Sequence, residues 1–202
     1  MTTIRAFVAL PVPAVVGRVA ANARTLCTGI DGVVRWVAPE RIHLTVKFLG
    51  DMDDGNVPAI HALLTETAAA TGPFRLAVGG LGVFPSVKNP RVLWMGITGD
   101  TPALVDFARQ LDTALTTLGF AAESRPFRAH LTLGRFKAKT DPQQLVDIMA
   151  SGGEMTAASF LADRVVLYQS ELKPSGAVYT PLTEVPLSGG DGASSRPPDR
   201  HS

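Results

Sequence analysis

Two short segments carry side chains able to do acid–base chemistry together, His43-Leu44-Thr45-Val46 and His130-Leu131-Thr132-Leu133. The chain has four histidines, and these two share one setting, an imidazole followed two residues on by a threonine and interleaved with apolar residues. With an ordinary pKa of about 6.5, one imidazole can be neutral and the other protonated near pH 7, so the pair offers a general base and a general acid at once. Threonine hydroxyls can donate hydrogen bonds to the non-bridging oxygens of a phosphate, as can a guanidinium such as that of Arg135. The chemistry this suggests is phosphoryl transfer, and it needs no metal ion.

Rival readings of the same residues are plain enough. A lone strand histidine is most often one that merely hydrogen-bonds, but two copies with threonine at the same offset favour a shared task. Zinc wants about three or four ligands, and neither segment brings a nearby Cys or second His. No metal site and no cofactor are expected.

The elements that must position these groups follow from periodicity. In a strand, alternate side chains share a face with a rise of about 3.3 Å per residue, which places His43 and Thr45 together and sends Leu44, Val46 and Phe48 to the core side. The second copy reads alike, with His130 and Thr132 on one face and Leu131 and Leu133 on the other. Strict alternation sends Arg135 to the face of Leu131 and Leu133. A bulge at Gly134, or an end to the strand there, would return it to His130.

Around the two strands, residues 4–10 read as a strand stopped by Pro11 and Pro13, and 14–26 as a helix. Residues 33–37 suggest a short strand, 50–55 a turn-rich acidic connection, and Val57, Ile60, Leu63 and Leu64 one helix stripe, with His61 beside it at the boundary. Phe74, Leu76 and Val78 alternate as a strand ending at Gly79-Gly80; residues 82–90 read as a turn-rich interruption, and 92–97 resume strand character. Thr101-Pro102 looks like a cap followed by proline at the start of a helix ending at Gly119, and Asp141-Pro142 repeats that signal. Strands near 155–160, 163–172 and 178–186 finish the chain. The order is strand-helix-strand-helix-strand-strand-helix-strand-helix-strand-strand-strand, with one histidine motif in each half. That predicts an α+β fold, a duplicated unit of two pseudo-twofold lobes, with a site between them that receives one His-x-Thr from each.

Composition bounds the rest. At 202 residues, 46% hydrophobic and 18% charged, residues 1–187 suit one bilobal domain. Residues 188–202, rich in Gly, Ser and Pro and holding His201, read as a disordered tail. A net charge of +1 gives no broad basic footprint for duplex nucleic acid and is compatible with a short RNA end or a nucleotide. The single cysteine, Cys27, excludes an internal disulfide and reads as packing. With no secretory leader pattern and no apolar run of bilayer length, the expectation is a cytoplasmic protein and no membrane partner. A monomer is expected.

The two His-Leu-Thr units and their flanks, residues 35–50 and 123–136, together with Arg5-Ala6-Phe7-Val8-Ala9-Leu10, Gly82-Val83-Phe84-Pro85, 89–94 and 167–172, carry a resemblance. The chain resembles the two-histidine phosphoesterase superfamily, and within it the RNA 2',3'-cyclic phosphodiesterases of the ThpR/LigT type, historically called 2'-5' RNA ligases. The resemblance spans roughly residues 4–182. It implies the same bilobal fold, two lobes of antiparallel sheet lining a central cleft with helices packed outside, and hydrolysis of RNA or nucleotide 2',3'-cyclic phosphate ends to 2'-phosphates. The reverse joining to a 5'-OH would use the same groups.

The resemblance also implies His43 as proton donor and His130 as proton acceptor, roles the residues alone leave interchangeable. Thr45, Thr132 and, through a His-x-Thr-x-x-Arg pattern, Arg135 would bind the phosphate. Trp36, Phe48 and Phe84 are candidate surfaces on which a base could stack, and Arg35 and Lys47 could line its path. One departure is Ala129, where family members usually carry proline; this relaxes the backbone restriction on Arg128 just before His130. A small cyclic nucleotide, an ADP-ribose cyclic phosphate or a 2'-5' oligonucleotide is the alternative substrate. An RNA-end binding module without turnover is the alternative from another class.

Overall fold

A computed structural model of the protein describes residues 2–153, 158–174 and 176–189. Two antiparallel sheets share one core. Strands β1 (Thr3–Pro11), β3 (His43–Asp53), β8 (Arg164–Lys173) and β9 (Gly176–Pro186) form a four-stranded sheet in the order β3-β1-β8-β9. Strands β2 (Val34–Trp36), β4 (Phe74–Ser86), β5 (Asn89–Gly99), β6 (His130–Phe136) and β7 (Ala158–Ala162) form a five-stranded sheet in the order β2-β6-β5-β4-β7. Helices α2 (Val57–Ala69) and α3 (Thr101–Thr116) back the first sheet, and α1 (Ala14–Leu26) and α4 (Pro142–Gly152) the second. Among the described residues each sheet thus keeps one face free of helices, its open face. The strands that carry the two motifs, β3 and β6, approach each other where the sheets meet.

The apolar alternations become the core. Leu44, Leu76, Val78, Leu93, Met95 and Leu131 are all buried on the helix side, and Phe74 packs on Phe107 of α3 with ring centroids 5.8 Å apart. No helix among the described residues is long and apolar enough to cross a membrane.

Several expectations change. Two strands, β2 and β3, stand between the first two helices, where the predicted order counts one. Residues 50–53 are strand rather than connection. Gly50 adopts a positive φ of 73°, and a register shift between Ala6 and Phe7 leaves Leu49 without a partner on β1. β3 absorbs this irregularity as a bulge and continues until Met52 is buried again. The interruption expected over 82–90 is mostly β4 and β5 running into their hairpin, since Phe84 pairs with Val92 and Ser86 with Asn89. Gly82 serves packing there: a Cβ would stand 2.1 Å from the indole of Trp94, so glycine is what lets that ring lie across the strand. The cap expected at Thr101 falls one residue earlier, at Asp100, whose carboxylate accepts from the Arg75 N–H at 2.8 Å instead of capping the helix. Asp141 does cap, accepting from the Gln143 N–H at 2.9 Å.

The strand expected from residue 155 begins at Ala158; residues 154–157 lie outside the described residues. So does the expected tail beyond Gly189, while Ser188 and Gly189 donate backbone hydrogen bonds to Ala68 and Thr71 at the end of α2.

The consequential departure is a second bulge, present in both motif strands. In β3, Thr45 pairs with Ala9 and Lys47 with Val8, leaving Val46 unpaired. In β6, Thr132 pairs with Trp94 and Gly134 with Leu93, leaving Leu133 unpaired. The extra residue falls three positions after each histidine and inverts the alternation beyond it. Phe48, expected in the core, therefore shares the open face with Phe7 and is 58% exposed. Lys47 turns inward and is 3% exposed.

Candidate active site

His43 and His130 each open their strand, and each is oriented by the same bond. His43 Nδ1 lies 2.8 Å from the carbonyl oxygen of Arg41, and His130 Nδ1 lies 2.7 Å from that of Arg128. A carbonyl only accepts, so Nδ1 carries the proton in both rings and Nε2 is the nitrogen left for chemistry. The bond to Arg128 orients the His130 ring without a proline at position 129.

Aromatic rings surround both imidazoles. Phe7 stacks on His43 at 4.7 Å between centroids and Tyr179 meets it edge-on at 5.0 Å, while Tyr168 stacks on Phe7 at 5.3 Å. Phe84 meets His130 edge-on at 5.1 Å, with Trp94 at 6.4 Å. Phe7, Trp94, Tyr168 and Tyr179 escape sequence reasoning, because each enters the site only through pairing with another strand. Alternation in β5 does mark Trp94, which faces away from buried Leu93 and Met95.

Burial lowers the pKa of both histidines, opposed by the hydrogen bonds to Arg41 and Arg128. Arg135 lowers His130 further by charge repulsion. The neutral imidazole is favoured in the folded state, so the unfolded chain binds more protons as pH falls below the ordinary histidine value of about 6.5. This contribution to stability is therefore complete above about pH 6.5 and is lost as pH falls through the lowered folded values. Urea unfolding should show a smaller loss of stability between about pH 6.5 and pH 5 in a His43→Gln/His130→Gln double variant than in the wild type. Equal losses would refute the assignment.

The β6 bulge settles where Arg135 lies. Paired with Val92, it is exposed on the open face with His130 and Thr132. Counting from each histidine, its counterpart in the other motif is Phe48, so a guanidinium in one lobe answers a phenyl ring in the other. Thr45, opposite Ala9, shares the open face with His43. Phe84, on the same face, lies beside His130 and stacks near Trp94 at 5.1 Å. Trp36 does not join them. It pairs with Gly134 on the helix side, and its ring lies under the Arg24 guanidinium of α1 at 5.1 Å, so a base stacked there would not share a face with His130.

Lys47 is likewise no part of the open face. Its ammonium is held on the helix side by Asp112 Oδ1 at 2.5 Å, the Ala121 carbonyl at 2.6 Å and Glu123 Oε1 at 3.5 Å. His61 pairs with the Thr183 hydroxyl between α2 and β9. Cys27 is buried, donates to the Ala23 carbonyl, and has its thiol pushed up to about 11 by burial and by Asp31, as suits a packing residue. Among the described residues, no three His, Cys, Asp or Glu side chains gather as metal ligands would.

Comparisons with known proteins agree on the fold and the family. An RNA 2',3'-cyclic phosphodiesterase of Methanothermobacter thermautotrophicus is 33% identical over 152 residues, covering 75% of this chain and 82% of the relative. One from Archaeoglobus fulgidus is 34% identical over 160 residues, covering 77% and 84%. The crystal structure of TT0787 of Thermus thermophilus superposes with a TM-score of 0.76 at 27% identity, over 92% of this chain and 99% of that one. Apo E. coli LigT does so with 0.73 at 25% identity, over 93% and 99%. The family model of the 2'-5' RNA ligase superfamily matches residues 33–174, a span that holds both bulged histidine strands, and the chain belongs to that superfamily.

Proposed function

We propose that the protein hydrolyses the 2',3'-cyclic phosphate at the end of an RNA strand to a 2'-phosphomonoester, by two-histidine acid–base catalysis without a metal. The observation that carries this reading is the matched pair of imidazoles on helix-free faces, each tied through Nδ1 to a backbone carbonyl so that Nε2 is free. Relatives about one-third identical over most of the chain are named RNA 2',3'-cyclic phosphodiesterase.

The family resemblance implies His130 as the base, and burial and Arg135 favour its neutral form: its Nε2 takes a proton from water as the water oxygen bonds to phosphorus. The bond from phosphorus to O3' breaks, and His43 gives its proton to O3', leaving the phosphate on O2'. His43 must be protonated to do so, and the phosphate anion raises its pKa on binding. Thr45, Thr132 and Arg135 donate to the non-bridging oxygens, where negative charge grows in the transition state. A 5'-OH in place of water would give a 2'-5' linkage through the same groups, and water at its bulk concentration favours hydrolysis.

The test is a substrate panel in excess EDTA: an oligoribonucleotide with a 2',3'-cyclic end, nucleoside 2',3'-cyclic phosphates, an ADP-ribose cyclic phosphate and a 2'-5' oligonucleotide. The expected outcome is turnover of the cyclic-ended RNA to a 2'-phosphate, unaffected by the chelator. A 3'-phosphate product, or activity lost in EDTA and restored by zinc, would overturn the reading; binding of the RNA without turnover would make the chain a binding module.

A further inference from the structure

Arg35 on β2 stands directly opposite Arg135 on β6. Backbone hydrogen bonds on either side, Lys137 N–H to the Val33 carbonyl at 2.7 Å and Val37 N–H to the Leu133 carbonyl at 2.8 Å, fix that register. Val34 and Trp36 turn to the helix side, so Arg35 shares the open face with Arg135, Thr132 and His130. Both arginines are exposed. Neither makes an ion pair among the described residues.

Like charges directly opposite on neighbouring strands destabilise a sheet, and a directly opposed pair of this kind has Cα atoms only about 5.5 Å apart. Protection of an exposed edge accounts for a charge on β2. It does not account for one on β6, which lies between β2 and β5. Gly134 makes the juxtaposition feasible: a Cβ there would stand 2.4 Å from Val34 Cγ1 and 3.1 Å from the Arg35 carbonyl oxygen, so only glycine lets β2 close onto β6. An anion between the two guanidiniums would turn the repulsion into attraction.

We propose that Arg35, with Arg135 beside it, forms a second phosphate subsite, which takes the phosphodiester joining the terminal nucleotide to the rest of the RNA strand. This rests on the RNA-end reading above and adds what the site selects: a polynucleotide end over a lone nucleoside cyclic phosphate. Position supports the division of labour. His130 pairs with Gly96 and Arg135 with Val92, a separation of about 13 Å along the strand. The Arg135 side chain is long enough to extend back along the strand toward the reacting phosphate, and its charge is felt at His130. Arg35 is one strand further out, beyond that phosphate and beside the path a following nucleotide would take.

The experiment compares the full-length wild type with Arg35→Gln on three substrates. These are a nucleoside 2',3'-cyclic phosphate, a short oligoribonucleotide with the same cyclic end, and that oligonucleotide with a neutral methylphosphonate at the linkage next to its terminal nucleotide. Loss of one charged contact made equally in ground and transition states should raise KM for the oligonucleotide about tenfold with kcat unchanged. The nucleoside substrate should change by less than about twofold, since it lacks the contacted group. The methylphosphonate should cost the wild type as much as the substitution does, and cost Arg35→Gln nothing more. Equal effects on nucleoside and oligonucleotide, no effect on either, or additive losses would each overturn the subsite. Failure of the wild type to turn over any of the three would sink the reaction itself, a result distinct from these.

Discussion

His43→Ala and His130→Ala should each lower kcat for a cyclic-ended RNA by about 10²- to 10⁴-fold, the usual worth of a positioned acid or base. The double variant should be little worse than the poorer single one, because groups that act in one proton relay are not additive. The pH profile adds a readout that misfolding cannot imitate. Both imidazoles are lowered by burial in the free enzyme, so kcat/KM should follow a bell displaced to the acid side of the ordinary histidine value of about 6.5. In kcat the limb belonging to the acid should move upward, because the bound phosphate anion stabilises its imidazolium. Each single variant should lose one limb. A loss below about tenfold for either substitution, or a profile that keeps both limbs, would remove that histidine from the reaction.

Asp112→Ala should be the most damaging of the substitutions around Lys47, at about 3–5 kcal/mol of folding stability. The reason is an asymmetry of burial. Lys47 is 3% exposed while its carboxylate partners Asp112 and Glu123 are 21% and 50% exposed, so removing Asp112 strands a cation that water cannot reach. Asp112 also accepts from the Glu123 N–H at 3.2 and 3.1 Å, and that bond is lost with it. The converse change, Lys47→Met, leaves a carboxylate that can rehydrate and a side chain of similar length in an apolar setting; about 2 kcal/mol is expected. Glu123→Gln, at a half-exposed position, should cost less than about 1 kcal/mol. Since a domain of this kind holds only about 5–15 kcal/mol in all, urea midpoints will resolve the order. An Asp112→Ala effect no larger than that of Glu123→Gln would show that the ammonium is solvated after all. The network joins β3, which begins with His43, to residues 120–129, the stretch without helix or strand that leads to His130.

Much of the site is legible along the chain, because local spacing dictates local faces. His43 with Thr45, and His130 with Thr132, share an open face as the period of two requires, and buried Leu44 and Leu131 share the other. The apolar stripes mark the four α-helices of the described residues, and the Asp141 cap falls where expected. The α+β class with a motif in each half follows from the repeat. These are short-range properties: a strand's pleat and a helix's turn depend on neighbours a few residues away.

What the chain alone leaves undecided begins three residues after each histidine. Whether Val46 and Leu133 bulge depends on the register with β1 and β5, strands distant in sequence, and that register decides which way every later side chain points. It puts Arg135 and Phe48 on the open face, buries Lys47, and turns Trp36 under α1. It also brings Phe7, Tyr168 and Tyr179 around one imidazole and Phe84 and Trp94 around the other. By itself the sequence determined which imidazoles and hydroxyls share a face and the strands that bear them, since those follow from residue type and local periodicity. Only the tertiary structure decided which other side chains stand with those groups, because a shift of one residue in strand pairing reverses a face, and pairing is set by long-range packing.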